Sequence, residues 1–443
     1  MKKLSKLLLV IVVVALALPT MWGCTDRSTR LRVFNWDYFM HPEVFGLFED
    51  YMLEEHGERV RVRATSFSSN EVVYREIAEN RRDRDIVVPS DYMVARLRAG
   101  GYIQQLDADL IASELAIHQA AGQVSGTDFR VLLRNYIYDG ANTFDEGLLY
   151  SVPFLWGTLG IMFNRDTYAP DSVRSWSHLF EAAGNIFMKE DQVRDNYTAA
   201  MLYSFSAELR HRSEGLTNFS NPAYIELMTA IFNNFEAGAN SFWNTADFTH
   251  HANFTDPFAQ ATTVLRNLRA RQGATVYWEM DWGMFDMQEE RLLANAHKGL
   301  AWSTDAGFVM NENPYAPVAD MLYYVVPEEG SNLWINNLVI PTRAGNPRLA
   351  NKFIAFSLRE DIAKLNTLST GSPAANQEAM ENLEYDLRYG DKSERFDGTP
   401  DGFKYMLLGI MFPNDSVMER LFIMGDFGDR FHAANIMWTN VMA

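Results

Sequence analysis

Leu31-Arg-Val-Phe-Asn-Trp-Asp-Tyr-Phe-Met40 is the stretch from which the rest of the chain is read. Its first half runs apolar at Leu31, Val33 and Phe34, the pattern of a buried strand. Asn35 ends the run and leaves Trp36, an acid and two more aromatics at the strand's C-terminal end. In open α/β sheets, ligands are held at that end. An indole beside a carboxylate suits a cation with an apolar body. An ordinary core strand with a Trp-rich turn explains this segment equally well, so the decision passes to the rest of the chain.

Upstream of it lies a segment that is not part of the fold. Lys2, Lys3 and Lys6 form a basic start, and Leu7 to Pro19 form an apolar run too short to span a membrane with normal flanks. Residues 1–23 read as an export signal. Cys24, the only cysteine, follows it directly behind Gly23, where a bacterial lipoprotein signal places its acylated cysteine. Met21 and Trp22 are unusual for such a signal. Residues 24–30 then form a tether with a lipidated Cys24, and the membrane is met through that anchor only. With one cysteine no disulfide forms within the chain, and no other segment is long and apolar enough to cross a membrane.

The 443 residues suffice for two domains. A formal charge of −18 argues against nucleic acid as a partner, because phosphate contacts need a basic surface. It accommodates a cationic ligand without requiring one.

Taken in order, the chain alternates. A helical pattern from Pro42 to Met52 follows the first strand, then a strand from Arg59 to Ala64. Ser69 or Asn70 caps a helix to about Arg81, and Asp85-Ile-Val-Val-Pro-Ser90 is a short buried strand with Tyr92 just beyond. Strand and helix in turn make the parallel α/β rhythm. Tyr150 to Asn164 reads as two apolar strands flanking Trp156-Gly157-Thr158, a segment able to carry the chain from one lobe to another. Ser175-Trp176 caps a helix, and Ile186 to Asp195 is a strand with a helix from Asn196. Residues 218 to 299 are aromatic, polar and mostly helical in pattern. Lys298 to Trp302, Met321 to Val326 and Leu333 to Pro341 complete the strands, and helices close the chain. Trp36, Tyr92, Trp302 and Trp334 each pair an aromatic with polar groups at a strand end, which suggests one aromatic-lined cleft.

Catalytic signatures are missing. No G-x-S-x-G, H-E-x-x-H, P-loop or post-strand G-x-G-x-x-G occurs, and an acylated Cys24 is no nucleophile. Adjacent histidines such as His250 and His251, even with Asp247 and Asp256 nearby, point to different sides of a helix and make a poor metal pair. What remains is recognition. A linear diamine needs aromatic walls for its methylenes and carboxylates near its nitrogens.

Several quoted segments, in order, carry a family pattern: Phe34-Asn-Trp36 with Pro42, Ser69-Asn-Glu71, Asp85-Ile-Val-Val-Pro-Ser-Asp-Tyr92, Val152-Pro-Phe-Leu-Trp-Gly157, Ser175-Trp176, Gly299-Leu-Ala-Trp302 and Pro327-Glu-Glu-Gly-Ser-Asn-Leu-Trp334. From about Leu31 to its C-terminus the chain resembles the substrate-binding proteins of bacterial spermidine/putrescine ABC transporters. The resemblance implies an α/β, two-lobed periplasmic-binding-protein fold of type II, with the ligand cleft between lobes joined by crossover segments. It implies an N-terminal lobe of residues 30–158 plus 337–380, and a C-terminal lobe of 159–336 plus 381–443 with an insertion at about 218–298. The insertion carries the Phe242-Trp243 and Tyr277-Trp278 pairs, placed to cover the cleft or meet a partner.

Carried over residue by residue, the resemblance puts Trp36, Ser90, Tyr92, Trp302 and Trp334 on the cleft wall, and makes Asp195, after Arg194, an amine-binding acid. Three positions depart from the pattern. Asn336 stands where the family has aspartate. Gln192 stands where it has an acid, with Asp191 one residue away. Phe39 replaces a tyrosine, with Tyr38 and Asp37 close by. Asp37, Asp91 or Asp305 is then expected to make up the missing charge. The implied role is a receptor in the periplasm or cell envelope, handing a polyamine or other small cationic solute to ABC permease subunits. It needs no cofactor and no metal, and it does no covalent chemistry. Two rivals stay open: the same scaffold with a different small solute, which Asn336 and Gln192 favour, and a surface lipoprotein for adhesion or sensing, which the long insertions favour.

Overall fold

The computed structural model describes residues 30–79, 83–128, 132–133, 144–145, 148–181, 184–190, 192–206, 257–271, 275–279, 296–312, 322–389 and 408–443. The export signal, Cys24 and the His250-His251 cluster lie outside them.

The chain opens as expected: β1 (Arg30–Trp36), α1 (Glu43–His56), β2 (Arg61–Phe67), α2 (Asn70–Ala78), β3 (Ile86–Val87) and α3 (Asp91–Ala99). The three strands form a parallel sheet in the order β2-β1-β3, with Trp36 opposite Phe67. Alternation along β1 sends Leu31 and Val33 to one face, where Val44, Phe48 and Met52 of α1 cover them. Phe34 goes to the other face, among Val73, Met93 and Leu97 of α2 and α3. A strand buried on both faces shows an apolar run rather than strict alternation. α1 ends at Gly57, whose φ of 66° is the left-handed cap that glycine takes without strain.

α4 (Ala108–Ala120) and the short hairpin of β4 (Phe144–Asp145) and β5 (Leu148–Leu149) lead into β6 (Val152–Asn164). Beyond it come α5 (Ser177–Phe180), β7 (Asn185–Lys189), α6 (Val193–Ser204), α7 (Pro257–Arg269), β8 (Val276–Glu279), β9 (Ala296–Trp302) and α8 (Ser303–Glu312). β10 (Leu322–Val325) and β11 (Ser331–Leu338) precede α9 (Pro347–Ser357), α10 (Glu360–Thr370), α11 (Gln377–Tyr389), α12 (Asp415–Met418), β12 (Leu421–Phe422) and α13 (Phe431–Met442).

β6 corrects the expectation of two strands around Trp156-Gly157-Thr158. It is one 13-residue strand, buried nearly throughout, and those three residues sit in its middle. Up to Thr158 it pairs antiparallel with β11; from Leu159 it pairs with β9 on one edge and, from Ile161, with β10 on the other. Gly157 bends nothing. It keeps room for a neighbour, since a Cβ there would run into the Trp334 indole and Ser303 Oγ.

The large sheet runs β12-β11-β6-β9-β7-β8, with β10 also on β6. The first half of β6 and β11 share a core with β1, α1, α4, α9, α10 and α11. The second half of β6, β7 and β9 share another with α6, α7 and α13. α7 and β8 fall within 218–298 yet belong to this core and this sheet. Trp278 packs on Trp438 with ring centroids 5.3 Å apart, which is a packing role, and Phe242-Trp243 lies outside the described residues. Two boundaries also moved. α6 begins at Val193 rather than Asn196, which puts Arg194 and Asp195 in a first helical turn. Tyr92 lies in the first turn of α3 and Trp334 inside β11, so only Trp36 and Trp302 close their strands.

Candidate functional site

One cleft, with a cavity volume of about 150 Å³, gathers the ends of β1 and β9, the starts of α3 and α6, and one face of β11. Its wall carries Trp36, Asp37 and Phe39, then Ser90, Asp91 and Tyr92, then Gln192 and Asp195. Trp302, Asp305, Trp334 and Asn336 complete the expected set. Two expected residues are not among these. Tyr38, at a left-handed φ of 57°, is 82% exposed and does not line the cleft. Asp191 lies outside the described residues.

On the side of the small parallel sheet, apart from Asp37 at the rim and Asp91 behind, the cleft is lined by neutral polar groups tightly bonded to one another. Ser90 Oγ donates to Asn336 Oδ1 at 2.9 Å, and Asn70 Nδ2 donates to Ser90 Oγ at 3.0 Å. Asn70 Oδ1 accepts from the Ser90 backbone N–H at 3.1 Å. Asn70 is free to do this because Ser69, not Asn70, caps α2 through its hydroxyl to Val72 N–H. Trp36 leans on Phe67 at 4.6 Å, and Phe39 faces Trp334 at 6.0 Å. Asp37 is exposed at the rim.

Asp91 is buried, and it serves the backbone: its carboxylate accepts from Tyr92 N–H at 2.5 Å and Ile335 N–H at 3.0 Å. That use ties α3 to β11. Burial pushes its pKa up to about 6, against the pull of the Arg194 guanidinium and these two N–H donors.

The opposite side is ionic. Asp195, 8% exposed, accepts from Trp302 Nε1 at 3.0 Å. Burial raises its pKa to about 6, which Arg194, Lys189 and the indole N–H partly counter. Arg194 donates to the Gly425 and Met424 carbonyls at 2.7 and 2.8 Å, and its guanidinium lies 3.7 Å from the centre of the Tyr92 ring. Lys189 Nζ sits 2.7 Å from Asp305 Oδ2 and 4.1 Å from the Trp302 ring centre. Arg96 of α3 bridges to Asp426 beyond β12, so the two sides are also joined outside the cleft.

Phe67, Ser68, Asn70, Arg194, Thr304 and Asn332 line the cleft as well, without having been expected to. Thr304 sits between Trp302 and Asp305, and Asn332 two residues before Trp334, so their signal was adjacency alone. Among the described residues no group of histidine, cysteine, aspartate or glutamate could hold a metal ion.

A family model described as bacterial extracellular solute-binding protein matches residues 47–386. The spermidine/putrescine-binding periplasmic protein of Escherichia coli is 27% identical over 387 residues, 86% of this chain and 87% of that protein. The putrescine/agmatine-binding protein of Pseudomonas aeruginosa is 23% identical over 395 residues, 88% of this chain and 89% of its own length. Two solved structures share the fold. One is the spermidine/putrescine ABC transporter substrate-binding protein of Streptococcus pneumoniae, with TM-score 0.58 and 21% identity, covering 94% of this chain and 99% of that one. The other is the TpPotD lipoprotein of Treponema pallidum, with TM-score 0.62 and 18% identity, covering 93% and 99%. The architecture is the two-lobed α/β one that the motifs implied.

Proposed function

The chain belongs to the bacterial extracellular solute-binding protein family, and from that premise we propose that it is the envelope-facing receptor of an ABC importer for a polyamine. The family binds solutes; its members are not enzymes. The observation that carries the polyamine reading is Asp195, a nearly buried carboxylate held against Trp302 in a cleft whose other walls are Trp36, Phe39 and Trp334. An ammonium there gains charge-assisted hydrogen bonds, and its methylenes gain the indole faces, about 0.5–2 kcal/mol per cation–π contact. Relatives named for spermidine, putrescine and agmatine agree with that chemistry.

The lobes divide in this reading at Thr158 and Leu159, where β6 changes partner from β11 to β9. Ligand held between them favours closure only through contacts that the open form lacks. Arg194 on Tyr92 and Arg96 with Asp426 join the two sides, and in this reading opening would break them. Cys24 carries the lipid that holds the receptor at the membrane. Cys24→Ser should release the protein into the soluble fraction, and membrane retention would count against the anchor.

A second reading, a receptor for a less charged solute, is favoured by buried Asn336 and by Gln192, both neutral where the polyamine pattern has acids. Thermal shift with putrescine, spermidine and agmatine, on protein starting after Cys24, separates the two. Stabilisation by at least one amine supports the polyamine; silence with all three hands the cleft to the second reading.

A further inference from the structure

An aromatic face next to a carboxylate is what this cleft offers an ammonium. At Trp302 one such pair is already occupied from within the protein. Lys189 ends β7 and Trp302 ends β9, and these strands are neighbours in the large sheet, running parallel, so both side chains emerge at the same sheet end. Lys189 is 2% exposed. Lysine is almost never buried so deeply without a partner. It pairs with Asp305, which lines the cleft, at 2.7 Å, and its ammonium also lies 4.1 Å from the Trp302 ring centre. Lys189 itself is behind the wall, out of the cleft. Asp305 and Trp302 therefore present to a ligand only what Lys189 leaves.

We propose that Lys189 is a built-in counter-cation that competes with the ligand's ammonium for Asp305 and Trp302, making it a residue that sets affinity and specificity. With Asp305 neutralised from behind and Asn336 uncharged, the cleft takes ligands that need one strong ammonium anchor, at Asp195, rather than one at each end. This rests on the amine-receptor reading above, and it assigns the sign of an otherwise unexpected effect. A supporting lysine, once removed, weakens ligand binding; a competing one, once removed, strengthens it.

Calorimetry with putrescine on wild type, Lys189→Met, and Lys189→Met combined with Asp305→Asn tests the sign. Lys189→Met keeps the side-chain length and takes the ammonium away from Asp305, and should tighten putrescine binding about fivefold or more. The double variant removes the acid as well and should return to within about threefold of wild type. Weaker or unchanged binding in Lys189→Met, or a gain that survives in the double variant, overturns the proposal. Should Lys189→Met fail to fold, the double variant, which removes both charges of the Lys189–Asp305 pair, carries the test, and a loss of about tenfold or more there overturns it. Silence with putrescine in all folded forms sinks the amine reading instead. The proposal is then decided by n-butylammonium chloride on Lys189→Ala. Supplying the missing ammonium should raise the Tm of this variant by several degrees beyond any effect on wild type or of n-butanol, and equal shifts overturn it.

Discussion

The two sides of the cleft are built differently. Beside the small sheet, Asn70, Ser90 and Asn336 make a closed set of neutral hydrogen bonds, and the nearest buried acid, Asp91, is occupied by the Tyr92 and Ile335 backbone. Beside β7 and β9, Asp195 and Lys189 both meet the Trp302 indole, Asp305 pairs with Lys189, and the Arg194 charge acts on Asp195. The first side fixes shape and register; the second supplies charge and nearly balances it. In the proposed reading an amine is oriented by the first side and held by the second.

That contrast can be broken most severely at Asp195. Asp195→Asn keeps an acceptor for Trp302 but removes the anion, and should cost about 2–3 kcal/mol, roughly 30- to 150-fold in putrescine affinity by calorimetry. An unchanged affinity would move the charge recognition elsewhere. Trp334→Ala is expected to lose more than about tenfold while the Tm stays close to that of wild type, because the indole is half-buried and spans Gly157 at the cleft wall. If the protein unfolds instead, Trp334 is core.

pH should separate affinity from stability. Burial raises Asp91 and Asp195 to about 6, above an unfolded aspartate. A raised acid pKa contributes stability below the unfolded value and loses it as pH rises through the folded one. The ligand-free Tm should therefore lose this contribution between about pH 4 and 6. Amine affinity moves the opposite way, because the anion is the partner. It should fall about tenfold from pH 7 to pH 5, a fall that Asp195→Asn flattens. Asn336→Asp gives the smallest change and sharpens the contrast: it adds charge to the neutral side and should tighten putrescine binding about threefold, limited by the cost of burying the anion.

Much of this was legible in the residues. The apolar run ending in Trp36, and the short strand before Tyr92, carried both the small sheet and its half of the cleft, because local pattern decides strand ends. The long course of β6 was not legible. Gly157 looks like a break in one dimension, and its purpose appears only when Trp334 arrives from a strand far along the chain. Tyr38 was misplaced because one left-handed residue turns its side chain out of line with both neighbours. Lys189 was hidden for a related reason. A lysine closing Ile-Phe-Met-Lys reads as a strand end reaching water, whereas the register of β7 beside β9 turns it under Trp302.

Charge recognition on the Asp195 side is the central claim, and its most direct test pairs putrescine with 1,4-butanediol in one calorimetric experiment at neutral pH. The two share a four-carbon chain and differ in charge. Saturable heat with putrescine and none with the diol is the predicted result; equal responses, or binding of the diol alone, would contradict it.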